Sequence, residues 1–381
     1  MRVLFVCNNA FNPGNGLSVS ARNTIRHLRE RGIDARLMAV ANPNPDGPQP
    51  DFPLKHFKFP VFEPVIRKNG FCYAKIDRDR IDEAIRWADV VHFEEAFPLE
   101  DVAMRMAKKL GKACVGTFHL FPHNVTANLG FRKNSSLNGL LMKYWNAVVF
   151  NKCSDIQCPT QVAKDYLAGS GCTARLHVIS NGVEIPDVPA AHIPPADDSI
   201  LDVLCVGRLS NEKSQGTLLE AMRYTKYADR IRITFAGNGP KEAKYKRLAQ
   251  RLFDEGVLSI LPIFEFYPQD ELREIARRAY LYVHCAWVEM EGLSCAEAVQ
   301  EGAVPVIGQG ALIGTPQFAL VPESLYPVGD SKALAERIDW WIEHRDEHDR
   351  MSVEYAQSMK RFDVEESIDK LIAMYESALG A

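Results

Sequence analysis

No stretch of this 381-residue chain reaches the roughly 18 consecutive apolar residues that a membrane-spanning helix needs. The first apolar run, inside MRVLFVCNNAF, stops after five residues at Asn8. Neither a secretory leader nor a helical membrane anchor is expected, and the chain reads as one made and kept in the cytosol. Cysteine is present but unorganised. The nine residues show no CxxC and no zinc-ribbon spacing, so reduced, mostly buried thiols are expected rather than a disulfide framework. A formal net charge of −4 gives no global reason to expect nucleic-acid binding. Internal repeats and long low-complexity segments are missing too. What remains, at 46% hydrophobic and 25% charged residues, is an ordinary globular composition at a length that suggests roughly two domains.

The hydrophobic pattern supplies the organisation. RVLFVC (2–7) is a short apolar run that ends in the Asn/Pro/Gly-rich NNAFNPGNG, and SVSARNTIRHLRERG carries apolar residues at helical spacing up to a glycine stop. Strand signals recur at DARLMAV, ADVVHFE, ACVGTFH, DIQCPT and RLHVIS. Strands alternating with helices imply a mostly parallel sheet covered on both faces. The proline-rich EIPDVPAAHIPPADDS (184–199) shows neither period and reads as a linker. Beyond it the pattern restarts with ILDVLCVGR, RIRITFAGNGP, LSILPIF, AYLYVHC and AVPVIG. The expected fold class is therefore α/β: one Rossmann-like domain over 1–183, a second over 200–359, and a closing helix at about 360–381 that packs back on the first.

Ligands of open parallel sheets sit at the carboxyl ends of the strands, which directs attention to four groups. In GRLSNEK, Arg208 ends a strand and Lys213 follows across a short loop; a planar fork of donors and a point charge together suit a diphosphate. In EMEGLSCAEAVQEGAVPVIG, Glu289 and Glu297 flank a helix start at Gly292, Leu293 and Ser294, whose backbone N–H groups and dipole favour an anion. A structural alternative is that Ser294 and Glu297 form a capping box. The third group is NPGNGLS, where Gly14 and Gly16 allow close backbone approach but Val19 replaces the third glycine of a dinucleotide fingerprint. The fourth is His119, at the end of VGTFH, with His123 nearby; a hydrogen-bonded structural role is the alternative for either. Glu94 and Glu95, being adjacent, face opposite sides of their strand, so they do not form a carboxylate pair on one atom. His344 and His348 have metal-compatible spacing on a charged helix, where solvated surface is the expectation. No metal site is assigned.

Taken in order, the Gly-rich loop, DVVHFEEAFP, GTFH, VISNGVE, VGRLSNEK, AGNGP, PQDELREIARRAYLYVHCAW and EMEGLSCAEAVQEGAVPVI resemble the retaining glycosyltransferases of family 4 over nearly the whole chain. The most specific part is the E-x7-E pair Glu289 and Glu297 with Arg208 and Lys213. The resemblance implies the GT-B architecture, two Rossmann-like domains facing across a cleft, the first for the acceptor and the second for a nucleotide-sugar donor. It further implies that Arg208 and Lys213 neutralise the leaving diphosphate, that Glu289 contacts the donor sugar, and that Glu297 holds the ribose. Gly292, Leu293 and Ser294 would cradle phosphate or sugar, with Gly237 and Gly16 lining the donor site and His119 approaching the sugar from the first domain. The implied activity is transfer of a hexose from a nucleotide sugar, UDP-sugar before GDP-sugar, with no cofactor besides that substrate. Glu291, Glu265 and the Glu94-Glu95 pair depart from the family pattern and leave the donor sugar and acceptor open.

For the acceptor, residues 131–152 interleave Arg132, Lys133, Lys143 and Lys152 with Leu140, Leu141, Trp145 and Phe150. A basic, aromatic amphipathic helix suits a membrane surface, and 54–71 adds a second such stretch; the alternative is that the apolar members are core. The partners expected are a nucleotide-sugar donor and a lipid or saccharide acceptor, with peripheral membrane contact and no nucleic acid. An NAD-dependent oxidoreductase is disfavoured by the incomplete fingerprint. A nucleotide-sugar epimerase of the same architecture, or an inert sugar-nucleotide binder, stays open.

Overall fold

The computed structural model describes residues 1–12, 16–60, 63–68, 72–127, 135–186, 193 and 199–380. Its chain divides into two units, Met1–Gly182 together with Val364–Ala381, and Val183–Asp363. Residues 187–192 and 194–198 of the expected linker lie outside the described residues.

In the first unit, β1 (Arg2–Val6), β2 (Asp34–Val40), β3 (Phe52–Leu54), β4 (Val90–Phe93), β5 (Ala113–Thr117), β6 (Asp155–Cys158) and β7 (Arg175–Val178) form one sheet in the order β3-β2-β1-β4-β5-β6-β7. Every pairing is parallel. Both faces are covered, which is why β1 is apolar and buried from Val3 to Val6 and β4 is buried throughout, without alternation. Helix Gly16–Glu30 turns Leu17, Ala21, Ile25 and Leu28 inward at helical spacing and ends before Gly32, whose φ of 79° a side chain would resist. The carboxyl-terminal helix, Val364–Leu379, belongs to this unit: Ile368, Leu371, Tyr375 and Ala378 join the core with Val3, Phe5 and Val115.

The second unit repeats the plan with β8 (Leu201–Val206), β9 (Ile231–Ala236), β10 (Ile263–Glu265), β11 (Leu281–His284), β12 (Val304–Gln309) and β13 (Leu325–Pro327), all parallel, in the order β10-β9-β8-β11-β12-β13. Each sheet reverses its strand order at its first strand, between β1 and β4 and between β8 and β11. The edge strands β3 and β13 have three residues each, one a proline, and show no strand signal in the sequence. LSILPIF yields strand only from Ile263 on.

Two expectations are corrected. His348 is not solvated: its ring is buried, stacked on Tyr280 at 3.7 Å, with Nε2 against the Tyr280 carbonyl at 2.8 Å. In helix Ser135–Val148, Trp145 is 2% exposed and Phe150 just beyond is 3% exposed, so neither is available to a lipid surface. Leu140 and Tyr144, at 66% and 43%, are exposed on that helix beside Lys143, while Arg132 and Lys133 lie outside the described residues. No helix among the described residues is long and apolar enough to cross a membrane. Among the described residues all nine cysteines are free, seven of them buried.

His92 on β4 ties the closing helix to the sheet. Its Nδ1 meets the Tyr375 hydroxyl and its Nε2 the Thr117 hydroxyl, each at 2.7 Å, and burial lowers its pKa to about 4 despite the nearby Glu94. The native state therefore takes up this proton less readily than the unfolded chain, whose His titrates near ~6.5. The stabilisation is complete above that pH and is lost as pH falls toward 4, by about 3 kcal/mol. A melting series from pH 7 to pH 4 on the wild type and His92→Gln should show a shallower pH slope in the variant.

Candidate functional site

In the second unit the chain leaves β8 and β11 at the point where strand order reverses. Gly207 follows β8 at φ 139°, and the Lys213 stem lies 3.7 Å from where a Gly207 Cβ would stand. The loop after β9 lies on this one, because Cβ atoms at Gly237 and Gly239 would come within 2.4 Å of the Gly207 and Leu209 carbonyl oxygens. Gly237 therefore has a packing reason to be glycine. Ser214, next to Lys213, has φ 53°, the one positive φ outside glycine among the described residues, and such strain concentrates at functional loops.

The loop after β11 is laced to the loop after β8. Trp287 donates its backbone N–H to the Glu212 carbonyl and its indole N–H to the Asn211 carbonyl, both at 3.0 Å. This brings Lys213 to Glu289: Nζ donates to Oε2, and His284 Nε2 lies 3.3 Å from the same oxygen. Burial opposes ionisation of Glu289, yet the Lys213 charge and the bonds from His284 and Lys213 outweigh it and hold the carboxyl at about 2. The Glu289 backbone is clamped by N–H to the Leu312 carbonyl and by its own carbonyl to Gly314 N–H, each 2.9 Å. Arg208 donates through Nη2 to Oε1 of Glu212, and its carbonyl accepts from Gln215 Nε2 at 3.0 Å.

Helix Leu293–Gln300 starts beside this group. Its cap is Gly292 in the left-handed conformation, φ 88°, and Ser294 points its hydroxyl at the Tyr282 hydroxyl, 3.0 Å away, so the capping box does not form. A Gly292 Cβ would stand 2.6 Å from Thr315 Oγ1, a buried atom without a hydrogen-bond partner. Glu297 has a different neighbourhood from Glu289. Burial raises its pKa, partly offset by a hydrogen bond from Gln269 and the Arg273 charge.

The strand reversal of the first unit carries a second polar group. Past β1, Asn8 donates its backbone N–H to Glu95 Oε2 at 2.8 Å and its side-chain amide to both Glu95 and Glu100, while its Oδ1 accepts from Ala74 N–H at 3.1 Å. Burial raises the pKa of both Glu95 and Glu100, the latter strongly. Glu94 turns the other way, to His119 Nε2 at 2.5 Å, and although burial opposes it, the charges of His119 and His92 lower its pKa. His119, Glu94, Glu95, Phe97 and Trp145 line a small pocket. Gly16 opens helix Gly16–Glu30 with nothing near its Cβ position, and Gly14 lies outside the described residues. Sequence reasoning missed Asn8, Glu100, Glu212 and His284. Asn8, Glu212 and His284 carried a signal, their places at or just past a strand end, whereas Glu100 carried none.

Two family models match, Glycosyltransferase Family 4 over residues 14–185 and Glycosyl transferases group 1 over residues 193–359. No curated protein matches. Among solved structures, Anabaena Alr3699/HepE in complex with UDP and glucose aligns over 99% of both chains at 17% identity and a TM-score of 0.74. Sucrose-phosphate synthase from Thermosynechococcus elongatus aligns over 100% of both at 15% identity and a TM-score of 0.74. The catalytic domain of cholesterol-alpha-glucosyltransferase from Helicobacter pylori aligns over 42% of this chain and 98% of its own at 41% identity, with a TM-score of 0.40. The two parallel sheets are those of the GT-B fold, and the chain belongs to the family 4 glycosyltransferases.

Proposed function

We propose that this protein is a retaining hexosyltransferase that moves a sugar from a nucleotide sugar, UDP-sugar before GDP-sugar, to an acceptor hydroxyl of a membrane glycolipid, lipid-linked saccharide or cell-surface polysaccharide. The observation that carries it is the meeting of Lys213, Glu289 and His284, with Arg208 on the adjoining loop, at the carboxyl ends of β8 and β11 beside a helix amino terminus. The UDP and glucose held by a neighbour of the same fold support the choice of donor.

Breaking the bond between anomeric carbon and phosphate builds charge on the departing diphosphate. Fixed cations and helix amides aimed at that charge stabilise the transition state more than the ground state. Arg208 and Lys213 neutralise it, and the N–H groups at Leu293 and Ser294 receive its oxygens. Gly292 keeps this approach open, since its left-handed turn and the crowding of Thr315 leave no room for a side chain. Glu289, ionised and oriented by Lys213 and His284, accepts hydrogen bonds from sugar hydroxyls, and Glu297 holds the ribose. His119, oriented by Glu94, contacts the sugar. Retention follows if the acceptor attacks from the face the diphosphate leaves, with the phosphate taking the acceptor proton. The acceptor assignment rests on the first unit, where Leu140, Lys143 and Tyr144 are exposed on one helix.

Thermal shift with UDP, GDP, ADP and NAD tests the donor. UDP at about 100 times its Kd should add roughly 2.7 kcal/mol, a rise of a few degrees, and Lys213→Ala should remove most of it. A rise with NAD alone overturns the proposal. Gly292→Ala should lower the Tm of the unliganded protein by a few degrees, since left-handed strain costs about 1–2 kcal/mol before the Thr315 contact is counted, and should shrink the rise that UDP produces in the same melting series.

A further inference from the structure

Both cations assigned to the diphosphate already carry a carboxylate. Lys213 donates to Glu289, and Arg208 donates to Oε1 of Glu212. The two carboxylates are held differently. Glu289 has a second partner in His284, whereas Glu212, 3% exposed, leaves Oε2 buried with no hydrogen-bond partner. An unsatisfied buried carboxylate oxygen is destabilising. Yet the backbone carbonyl of Glu212, bonded to Trp287 N–H at 3.0 Å, keeps the residue in place. Orienting Arg208 needs only one acceptor, which a glutamine also offers. The negative charge is what the contacts leave unexplained.

We propose that Glu212 is a positioning residue that acts in two ways. It aims the Arg208 guanidinium, and its charge loosens the hold of the site on a nucleoside diphosphate so that this product leaves. The inference rests on the donor reading above. Arginine has five N–H donors, so Arg208 can meet phosphate while still bonded to Glu212. The diphosphate then approaches a cation whose charge a neighbouring carboxylate offsets. Product release limits turnover in many transferring enzymes, and a built-in counter-charge shortens the residence of the nucleotide without removing the donor that stabilises charge as the bond breaks.

Titration calorimetry of the full-length chain with UDP and with uridine tests this in the wild type, Glu212→Gln and Glu212→Asp. Glu212→Gln keeps the acceptor and removes the charge. It should bind UDP between about fivefold and about a thousandfold tighter, the range spanned by one unit charge about 4 Å away in bulk water and near a protein surface, and bind uridine unchanged. Glu212→Asp, which keeps the charge, should stay within about threefold of the wild type. In steady state with UDP-glucose, Glu212→Gln should lower KM and kcat together. An unchanged or weaker UDP affinity in Glu212→Gln, or an equal change for uridine, overturns the inference while leaving the donor reading intact. A wild type that binds neither ligand overturns both. If Glu212→Gln does not fold, Glu212→Met, neutral and of similar length, is read on the UDP arm in the same way.

Discussion

A parallel sheet whose strand order turns back at its first strand leaves a crevice that no connection crosses, because the chain departs from the two central strands toward opposite sides. Each unit of this protein is built around one such reversal, β1 with β4 and β8 with β11. The strands themselves are buried on both faces and offer nothing to a ligand. Chemistry is therefore concentrated at the strand ends and in the residues just past them. Asn8 and Glu94–Glu95 occupy that position in the first unit, and Arg208 to Lys213 with Glu289 occupy it in the second.

Burial then decides the charge state of each group, according to whether a cation is within reach. Glu289 keeps its charge because Lys213 and His284 both touch one of its oxygens. Glu95 and Glu100 share Asn8, a neutral donor, and burial pushes both toward the protonated form. Glu94, one residue from Glu95, goes the other way because it turns to His119. Two consecutive glutamates just past β4 thus have their pKa values moved in opposite directions, Glu94 down beside His119 and Glu95 up, where burial outweighs the bonds from Asn8.

The sequence made some of this legible and hid the rest for physical reasons. Strands buried on both faces appear as continuous apolar runs, so most of both sheets was readable, and Arg208, Lys213 and Glu289 stood out because they follow such runs. Short edge strands bury too little to leave a pattern, which is why β3 and β13 were missed. Pairings across long separations left no trace either: Asn8 and Glu100 are 92 positions apart, and Lys213 and Glu289 are 76 apart. His348 was misread because its sequence neighbours are charged while its ring is covered by Tyr280 from another element. In helix Ser135–Val148 the periodicity announced an amphipathic helix, but the choice of face belongs to the packing, which took Trp145 into the core.

Glycine and tryptophan decide how rigidly the second unit holds its cations. Gly237 and Gly239 let the loop after β9 rest on backbone atoms of Gly207 and Leu209, and the bond from Leu209 N–H to the Asn238 carbonyl, 2.9 Å, pins it there. Trp287 bonds the loop after β11 to Asn211 and Glu212 from the other side. The segment carrying Arg208 and Lys213 is thereby fixed along its length, and the positive φ at Ser214 shows that this placement is kept at a local cost. Cations held by backbone packing need no reorganisation when charge develops on a departing phosphate, and electrostatic stabilisation is most effective in that condition.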